Sequence, residues 1–323
     1  MTPAGGLTSP LGGGVYLVDL PQGLPGFHHF ISSWFFLDAS GRRVVVDPGP
    51  ESTIPLLNGE LEKLTDGVDL VLITHIHLDH SGGIGTFCRR WPEASVLVHP
   101  RGARHLREPR KLWSASVKTL GDVALAYGEP TPLTAPLLDE DPGGVAEVFQ
   151  TPGHAPHHIS IRIPTKEGET LFFLGEAAGM TVPTLDGGLW LRPTTPPKFD
   201  GKAALASLDL LARTLRGDER LCYAHWGSPE GQDAAGGPLK RVAMAREQME
   251  RWLEEIRTMT DRPPEEIVEH FLRCDPLLQA KLDDDLPARE RVFMSNSVRG
   301  ILGFLAEGQQ GACASSRDKE AAS

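Results

Sequence analysis

The chain has 323 residues, 40% of them hydrophobic and 23% charged, enough apolar material for one large domain and a smaller one. A net charge of −11 repels phosphate backbones, so nucleic acid is excluded as a partner unless basic residues cluster locally, and no such stripe stands out. No apolar run reaches bilayer length and the four cysteines are scattered without a Cys-x-x-Cys pair, which predicts reduced thiols, no membrane partner and a cytoplasmic location.

Residues 1–14 are rich in Gly, Pro and Ser and lack the basic and apolar regions of a signal peptide, which argues against a secreted enzyme. Alternating or apolar runs predict strands over Gly14–Leu20, His29–Leu37 and Arg43–Val46, with Asp38-Ala39-Ser40-Gly41 as a hairpin turn. Ile54, Leu57, Leu61 and Leu64 are spaced for an amphipathic helix. A buried strand over Val68–Ile73, a short helix over Ile84–Arg90 and a strand over Ser95–Val98 follow. Arg101–Gly121 reads as helical and basic, and Pro130–Gly144 as an acidic, Pro-rich loop. Strands resume at Ala146–Gln150, Ile159–Ile163 and Thr170–Leu174. Asp200–Gly217 has a helix N-cap, a leucine stripe and a terminal glycine, and Arg220–Ala224 is a last short strand. Helix and strand alternate, which argues for helices layered on sheets.

After Gly237 only helical patterns remain. Val242, Ala245, Met249, Trp252, Leu253 and Ile256 form one face of a long helix, and Val292, Val298, Ile301, Leu302 and Leu305 mark another. The expected organisation is a catalytic α/β domain over residues 1–237, a small helical C-terminal domain over 238–307, and a disordered tail over 308–323.

The chemistry concentrates at Thr74-His75-Ile76-His77-Leu78-Asp79-His80, where a buried strand ends and a glycine-rich turn begins. Imidazole and carboxylate are the ligands that borderline divalent metals prefer. Random order would place His-x-His-x-Asp-His in a chain of this composition about once in a thousand, so the motif is specific. Three more metal-capable side chains follow predicted strands: His154 in Thr-Pro-Gly-His, Glu176 in Phe-Phe-Leu-Gly-Glu, and His225 in Tyr-Ala-His-Trp-Gly.

These residues, in this order between Gly14 and Gly227, make the chain resemble the metallo-β-lactamase-fold hydrolase superfamily. The resemblance implies a four-layer αββα sandwich with the site at one edge of its two sheets. It implies that His75, His77 and His154 bind one divalent metal, that Asp79, His80 and His225 bind a second, and that residue 176 bridges them. Zinc is the first expectation, with iron and manganese as alternatives. The family usually has Asp at the bridging position. Glu176 carries an extra methylene that moves the carboxylate about 1.5 Å further out. A looser likeness, through Thr151–Ser160, Pro193–Asp200 and the added C-terminal helices, is to the bacterial quinolone-signal response protein, a thioesterase-like member.

The implied activity is hydrolysis of a small-molecule acyl bond (thioester, lactone or ester) by a metal-bound hydroxide, with Asp79 orienting the nucleophile and passing a proton to the leaving group. An iron-dependent oxidoreductase with the same ligands, and a regulatory binding protein that keeps the site, are the competing readings. Asp47 is a candidate support for a ligand histidine. His157 and His158 are candidates for substrate contact or for hydrogen bonding to a ligand. His28 sits in a loop that borders the cleft in family members, and Phe27, Trp190 and Phe199 are candidates for an apolar cleft wall. The stripes of the C-terminal helices must bury against something, either the cleft mouth or a second copy in a homodimer.

Overall fold

The computed structural model describes residues 7–138, 143–182, 184–226 and 237–320, with the backbone alone over 309–320. The first sheet runs in chain order: β1 (Thr8–Pro10), β2 (Tyr16–Asp19), β3 (Ser32–Leu37), β4 (Arg43–Val46), β5 (Leu70–Leu72), β6 (Ser95–Leu97) and β7 (Leu137–Leu138). Its first four strands pair antiparallel, and β4 to β7 run parallel. The second sheet has the order β13-β10-β9-β8, formed by β8 (Glu147–Gln150), β9 (Ile159–Pro164), β10 (Thr170–Gly175) and β13 (Arg220–Tyr223). A small hairpin, β11 (Met180–Val182) with β12 (Trp190–Arg192), lies apart.

The period-2 alternation of the strands builds the layers. Trp34 and Phe36 of β3, Val44 and Val46 of β4, and Leu70 and Leu72 of β5 meet Ile161 of β9 and Leu171 and Phe173 of β10 in one buried cluster between the sheets. The Phe173 ring meets Trp34 edge-on at 5.5 Å and stacks on Phe36 at 5.8 Å. The residues between them, such as Val45, Val71 and Phe172, face outward into a second cluster shared with the helices. Over the outer faces lie α1 (Ile54–Leu61), α3 (Ile84–Arg90) and α7 (Gly201–Thr214). Asp200 caps α7 as predicted, accepting from the backbone N–H groups of Lys202 and Ala203. The architecture is therefore the expected αββα sandwich.

Several elements differ from the sequence reading. The basic segment is two helices, α4 (Pro100–Arg107) and α5 (Arg110–Leu120), broken at Glu108-Pro109, and α6 (Asp122–Tyr127) follows. Proline blocks the helix at that break. β7 lies inside the predicted acidic loop, of which residues 139–142 are outside the described residues. β1, β7, β11 and β12 are each three residues or fewer, too short for alternation to register.

The C-terminal helices are α8 (Gly237–Arg257), α9 (Pro264–Cys274) and α10 (Leu286–Glu320). All six apolar positions predicted for α8 are buried, and Trp252 stacks on Phe271 of α9 at 4.2 Å. These helices share the outer core cluster with the sandwich. α10 departs from its predicted stripe. Val298 and Ile301 are buried, but Val292 is 52% exposed, and the buried face instead carries Arg289, Glu290, Met294 and Ser297. Its backbone also stays helical to Glu320, through most of the segment whose composition predicts disorder. That segment holds no proline and several good helix formers.

Candidate metal centre

Strand direction explains why distant residues converge. β5 runs parallel to β4, so Asp47 and the Thr74–His80 segment leave the first sheet at one edge. β10 runs parallel to β13, and β8 points the same way because it is antiparallel to β9, itself antiparallel to β10. Hence His154, Glu176 and His225 leave the second sheet together. α2 (Leu78–Ser81) starts directly after His77 and places Asp79 and His80 in its single turn.

Two groups of ligand atoms form at this edge. One joins His75, His77, His154 and Glu176, and the other joins Asp79, His80 and His225, with the ligand atoms of each group within 4.8 Å of one another. Glu176 lies between them. Its Oε2 is 3.1 Å from His75 Nε2 and 3.0 Å from His154 Nε2, while its Oε1 is 3.4 Å from His225 Nε2. Asp79 Oδ2 is 3.6 Å from His80 Nε2 and 3.7 Å from His225 Nε2.

The outer ring nitrogens are already committed. His154 Nδ1 lies 2.9 Å from the Thr194 carbonyl, and His225 Nδ1 lies 3.2 Å from the Phe30 carbonyl. A carbonyl only accepts, so each Nδ1 carries a proton and Nε2 is the nitrogen left to face inward. Asp47 accepts from both the backbone N–H and the hydroxyl of Thr74, at 2.9 and 2.6 Å. The Thr74 oxygen is then free to accept from His75 Nδ1 at 3.1 Å, which leaves His75 Nε2 as an inward lone pair. Asp47 holds this post in the left-handed region, at φ +46°. His158 anchors the other side. Its Nε2 accepts the Glu176 backbone N–H at 2.9 Å, and its Nδ1 meets the Thr151 hydroxyl at 2.9 Å. Gly175 has φ +57°, and a Cβ there would sit 2.3 Å from His158 Nε2, so only glycine lets the strand end pass this close.

The residues present fit a cation. His75 Nε2 and both ring nitrogens of His80 are buried with no hydrogen-bond partner among the described residues. The inward nitrogens of His77 and His154 face each other at 2.9 Å. Converging lone pairs left unsatisfied in the interior are costly, and a divalent ion would satisfy them. Electrostatics agree. Burial, and then neighbouring imidazoles, hold His75 and His77 well below the ordinary histidine value, in the neutral form a metal needs. Burial would raise the Glu176 carboxyl, but His154 and His225 outweigh it and hold it well below the usual range. Burial pushes Asp47 up to about 6 against the opposing pull of His80 and Thr74. His80 is the exception: burial is outweighed by Asp79, Glu176 and Asp47, which push it up to about 9, so a cation there would have to displace a proton.

Cutting the Asp47–Thr74–His75 chain should therefore weaken metal retention without unfolding the protein. Thr74→Val is expected to lower cation affinity by roughly 10- to 100-fold, the range for partners that orient a ligand. Competition against a chromophoric chelator measures it, and unchanged affinity would show that the chain does not orient His75.

A cavity of about 270 Å³ opens over these groups. His77, Asp79, His154, Glu176 and His225 form its floor together with His157. His157 accepts the Ile76 N–H, and burial lowers its pKa to about 4. One wall is α5, with Leu112, Ala115, Ser116, Thr119 and Leu120. The others are Thr194–Lys198 and Phe293, Asn296 and Ser297 of α10. The expected aromatic wall is corrected. Phe27 packs on Phe30 and Phe293, Phe199 packs on Phe304, and Trp190 is buried in β12, so all three are core residues. Phe293 and Phe304 of α10 close over Phe27 and Phe199. His28 does not line the cavity either; its ring packs edge-on against His29.

Sequence reasoning missed the α5 and α10 walls and Arg192. Leu112, Ala115, Ser116, Thr119 and Leu120 are spaced for one helix face, a signal that does not distinguish a cleft wall from a core. Arg192, 2% exposed, donates through Nε to Glu290 of α10 at 2.7 Å, and Arg289 donates to the same carboxylate at 2.8 Å. The Arg289 guanidinium lies over the Phe30 ring at 4.2 Å, and that ring stacks on ligand candidate His225 at 4.3 Å. α10 docks closely enough on the Thr194–Pro196 wall that a Cβ at Gly300 would meet the Thr195 carbonyl oxygen at 1.9 Å.

Comparison with known proteins gives one family. The model described as the metallo-beta-lactamase superfamily matches residues 29–225. A metallo-beta-lactamase fold-containing protein of Sulfurisphaera tokodaii is 29% identical over 181 residues, 51% of this chain and 62% of that protein. A hydroxyacylglutathione hydrolase of Xanthomonas euvesicatoria is 29% identical over 194 residues, 59% of each chain. The matches thus span less than two thirds of these relatives. Among solved structures, an archaeal superfamily protein from Sulfolobus tokodaii superposes with a TM-score of 0.61 at 21% identity, covering 88% of this chain and 97% of that one. A family protein from Thermus thermophilus gives 0.59 at 25% identity, covering 93% and 95%.

Proposed function

Because the chain belongs to the metallo-β-lactamase superfamily, we propose that it is a metal-dependent hydrolase that cleaves an acyl bond, in a thioester, lactone or ester, of a small molecule. The observation that carries this reading is the Glu176 carboxylate lying between two groups of inward-facing donors on the floor of a largely apolar cleft. His75, His77 and His154 would hold one cation and Asp79, His80 and His225 a second, with Glu176 between them. Zinc suits the nitrogen-rich donor set best, and iron and manganese are the alternatives to test. When bound, such cations supply Lewis acidity, lowering the pKa of water and polarising the acyl oxygen.

The chain's own residues do the rest. Asp79 reaches into the cleft, where its carboxylate can accept a proton from water and return it to the leaving group. Leu112, Ala115, Leu120 and Phe293 offer an apolar wall for an acyl chain and exclude water around it. The relative's name, hydroxyacylglutathione hydrolase, denotes cleavage of an acyl conjugate and supports the acyl-bond choice. We place the protein in the cytoplasm, where a homodimer is the simplest assembly to test. No helix among the described residues is long and apolar enough to cross a membrane. Metal-loaded protein should turn over at least one member of a panel of thioesters, lactones and esters. Failure on the whole panel, with the metal site filled, would overturn the acyl-hydrolase reading.

A further inference from the structure

The protein is acidic, yet α4 and α5 are basic, which corrects the expectation that basic residues form no local stripe. Between Pro100 and Leu120 stand Arg101, Arg104, Arg107, Arg110, Lys111 and Lys118, against one acid, Glu108. All six cations are exposed, and among the described residues none forms an ion pair. Some exposed cations elsewhere are paired, such as Arg257, Arg291 and Arg299 of the C-terminal helices with Glu254, Glu269 and Glu265. Cations left together without partners repel one another, and an anionic ligand would relieve that repulsion.

The fold puts this surface at the cleft. Lys111, Ala115 and Lys118 follow one another at i, i+4 and i+7 on α5, and Ala115 lines the cavity. α4 leans on the metal loop: a Cβ at Gly102 would lie 2.7 Å from Ile76 and 3.8 Å from His157. α4 and α5 pack against each other, and after burial and Arg104 the charge of Lys111 on α5 also lowers the pKa of His105 on α4. On the wall formed by residues 194–198, Lys198 adds another unpaired cation, held at φ +74°. An apolar cleft over a candidate metal centre thus opens beside a basic rim.

We propose that this rim binds the phosphate groups of the substrate's carrier. The substrate class is then an acyl thioester on a phosphate-bearing carrier of the coenzyme A type, with its acyl group in the apolar cleft. This deepens, and rests on, the acyl-hydrolase reading. It binds an anion through Arg and Lys and involves no new bond-making step.

The test is equilibrium binding of coenzyme A and of pantetheine, its phosphate-free portion, to the full chain by calorimetry. Coenzyme A is expected to bind at least about tenfold more tightly, and that advantage should shrink as salt rises, since the rim is exposed and screened. Replacing Arg104, Lys111 and Lys118 together with Gln should remove the advantage. The matched triple Arg257→Gln, Arg291→Gln and Arg299→Gln, which loses the same charge elsewhere, should keep it. Circular dichroism confirms folding of both. Equal binding of the two probes, no binding of coenzyme A, an unaffected rim triple, or tighter binding of an RNA oligonucleotide than of coenzyme A would each overturn the proposal. Hydrolysis assays separate the two readings. Phosphate-dependent binding with no cleavage of any thioester, lactone or ester upholds the rim and sinks the hydrolase. Cleavage of coenzyme A and pantetheine thioesters with equal KM upholds the hydrolase and sinks the rim.

Discussion

His154→Ala is expected to lower cation retention sharply and kcat/KM by about a thousandfold or more, with little change in folding. His154 is the hub of the first donor group. Its Nδ1 is tied to the Thr194 carbonyl, and its Nε2 faces both His77 Nδ1 at 2.9 Å and Glu176 Oε2 at 3.0 Å. Removing it deletes one of three nitrogens and the leading attraction that keeps Glu176 ionised against burial. Lewis-acid stabilisation by a cation amounts to several kcal/mol, and about 4 kcal/mol corresponds to roughly three orders of magnitude in rate. The side chain faces the cleft, so truncation opens space toward solvent instead of a sealed void, and stability should hold. Elemental analysis and kcat/KM on the substrate found in the panel measure the effect. Full metal content with unchanged turnover would remove His154 from the centre.

The second large effect concerns stability. Glu290 is buried between Arg192 and Arg289, which both donate to it. Glu290→Ala leaves two buried guanidiniums without their shared carboxylate, and losing one partner of a buried pair costs about 3–5 kcal/mol. For a chain of this size that corresponds to a fall in Tm of roughly 10 °C. Glu290→Gln, which keeps the shape and one acceptor oxygen, should fall between wild type and Ala. The Ala variant should also weaken the cleft, because Arg192 lines it and Arg289 supports Phe30 beneath His225. Thermal denaturation checks the ordering, and a Tm for Ala equal to that of wild type would show that the pair contributes nothing.

The metal-facing residues are the most legible part of the sequence, for a physical reason. Four of them are packed into six positions, His75 to His80, and the other three each follow a predicted strand. Buried strands end in turns at the sheet edge, so strand ends with metal-capable side chains already imply a shared location. The αββα layering is legible in the same way, through continuous apolar strands such as the one holding Trp34-Phe35-Phe36, buried on both faces. The walls of the cleft are not. Leu112 and Leu120 of α5 read as ordinary core positions, whereas Phe27, Trp190 and Phe199, conspicuous as aromatics, lie inside. Whether an apolar side chain ends in a core or a cleft depends on what the fold lays over it, which local spacing does not encode. Arg289 and Glu290 show the converse. Adjacent charges on a helix read as surface, and only tertiary contact with Arg192 makes them interior. Val292 reads as core because it is apolar, yet the helix turns that position to solvent and buries the charged pair.

That this chain binds two divalent cations on either side of Glu176 is tested most directly by anomalous scattering from crystals grown with zinc. Two peaks are expected, one among His75, His77 and His154 and one among Asp79, His80 and His225, with a Glu176 oxygen adjacent to each. No peak at this edge, or a cation bound only by residues outside this set, would contradict it.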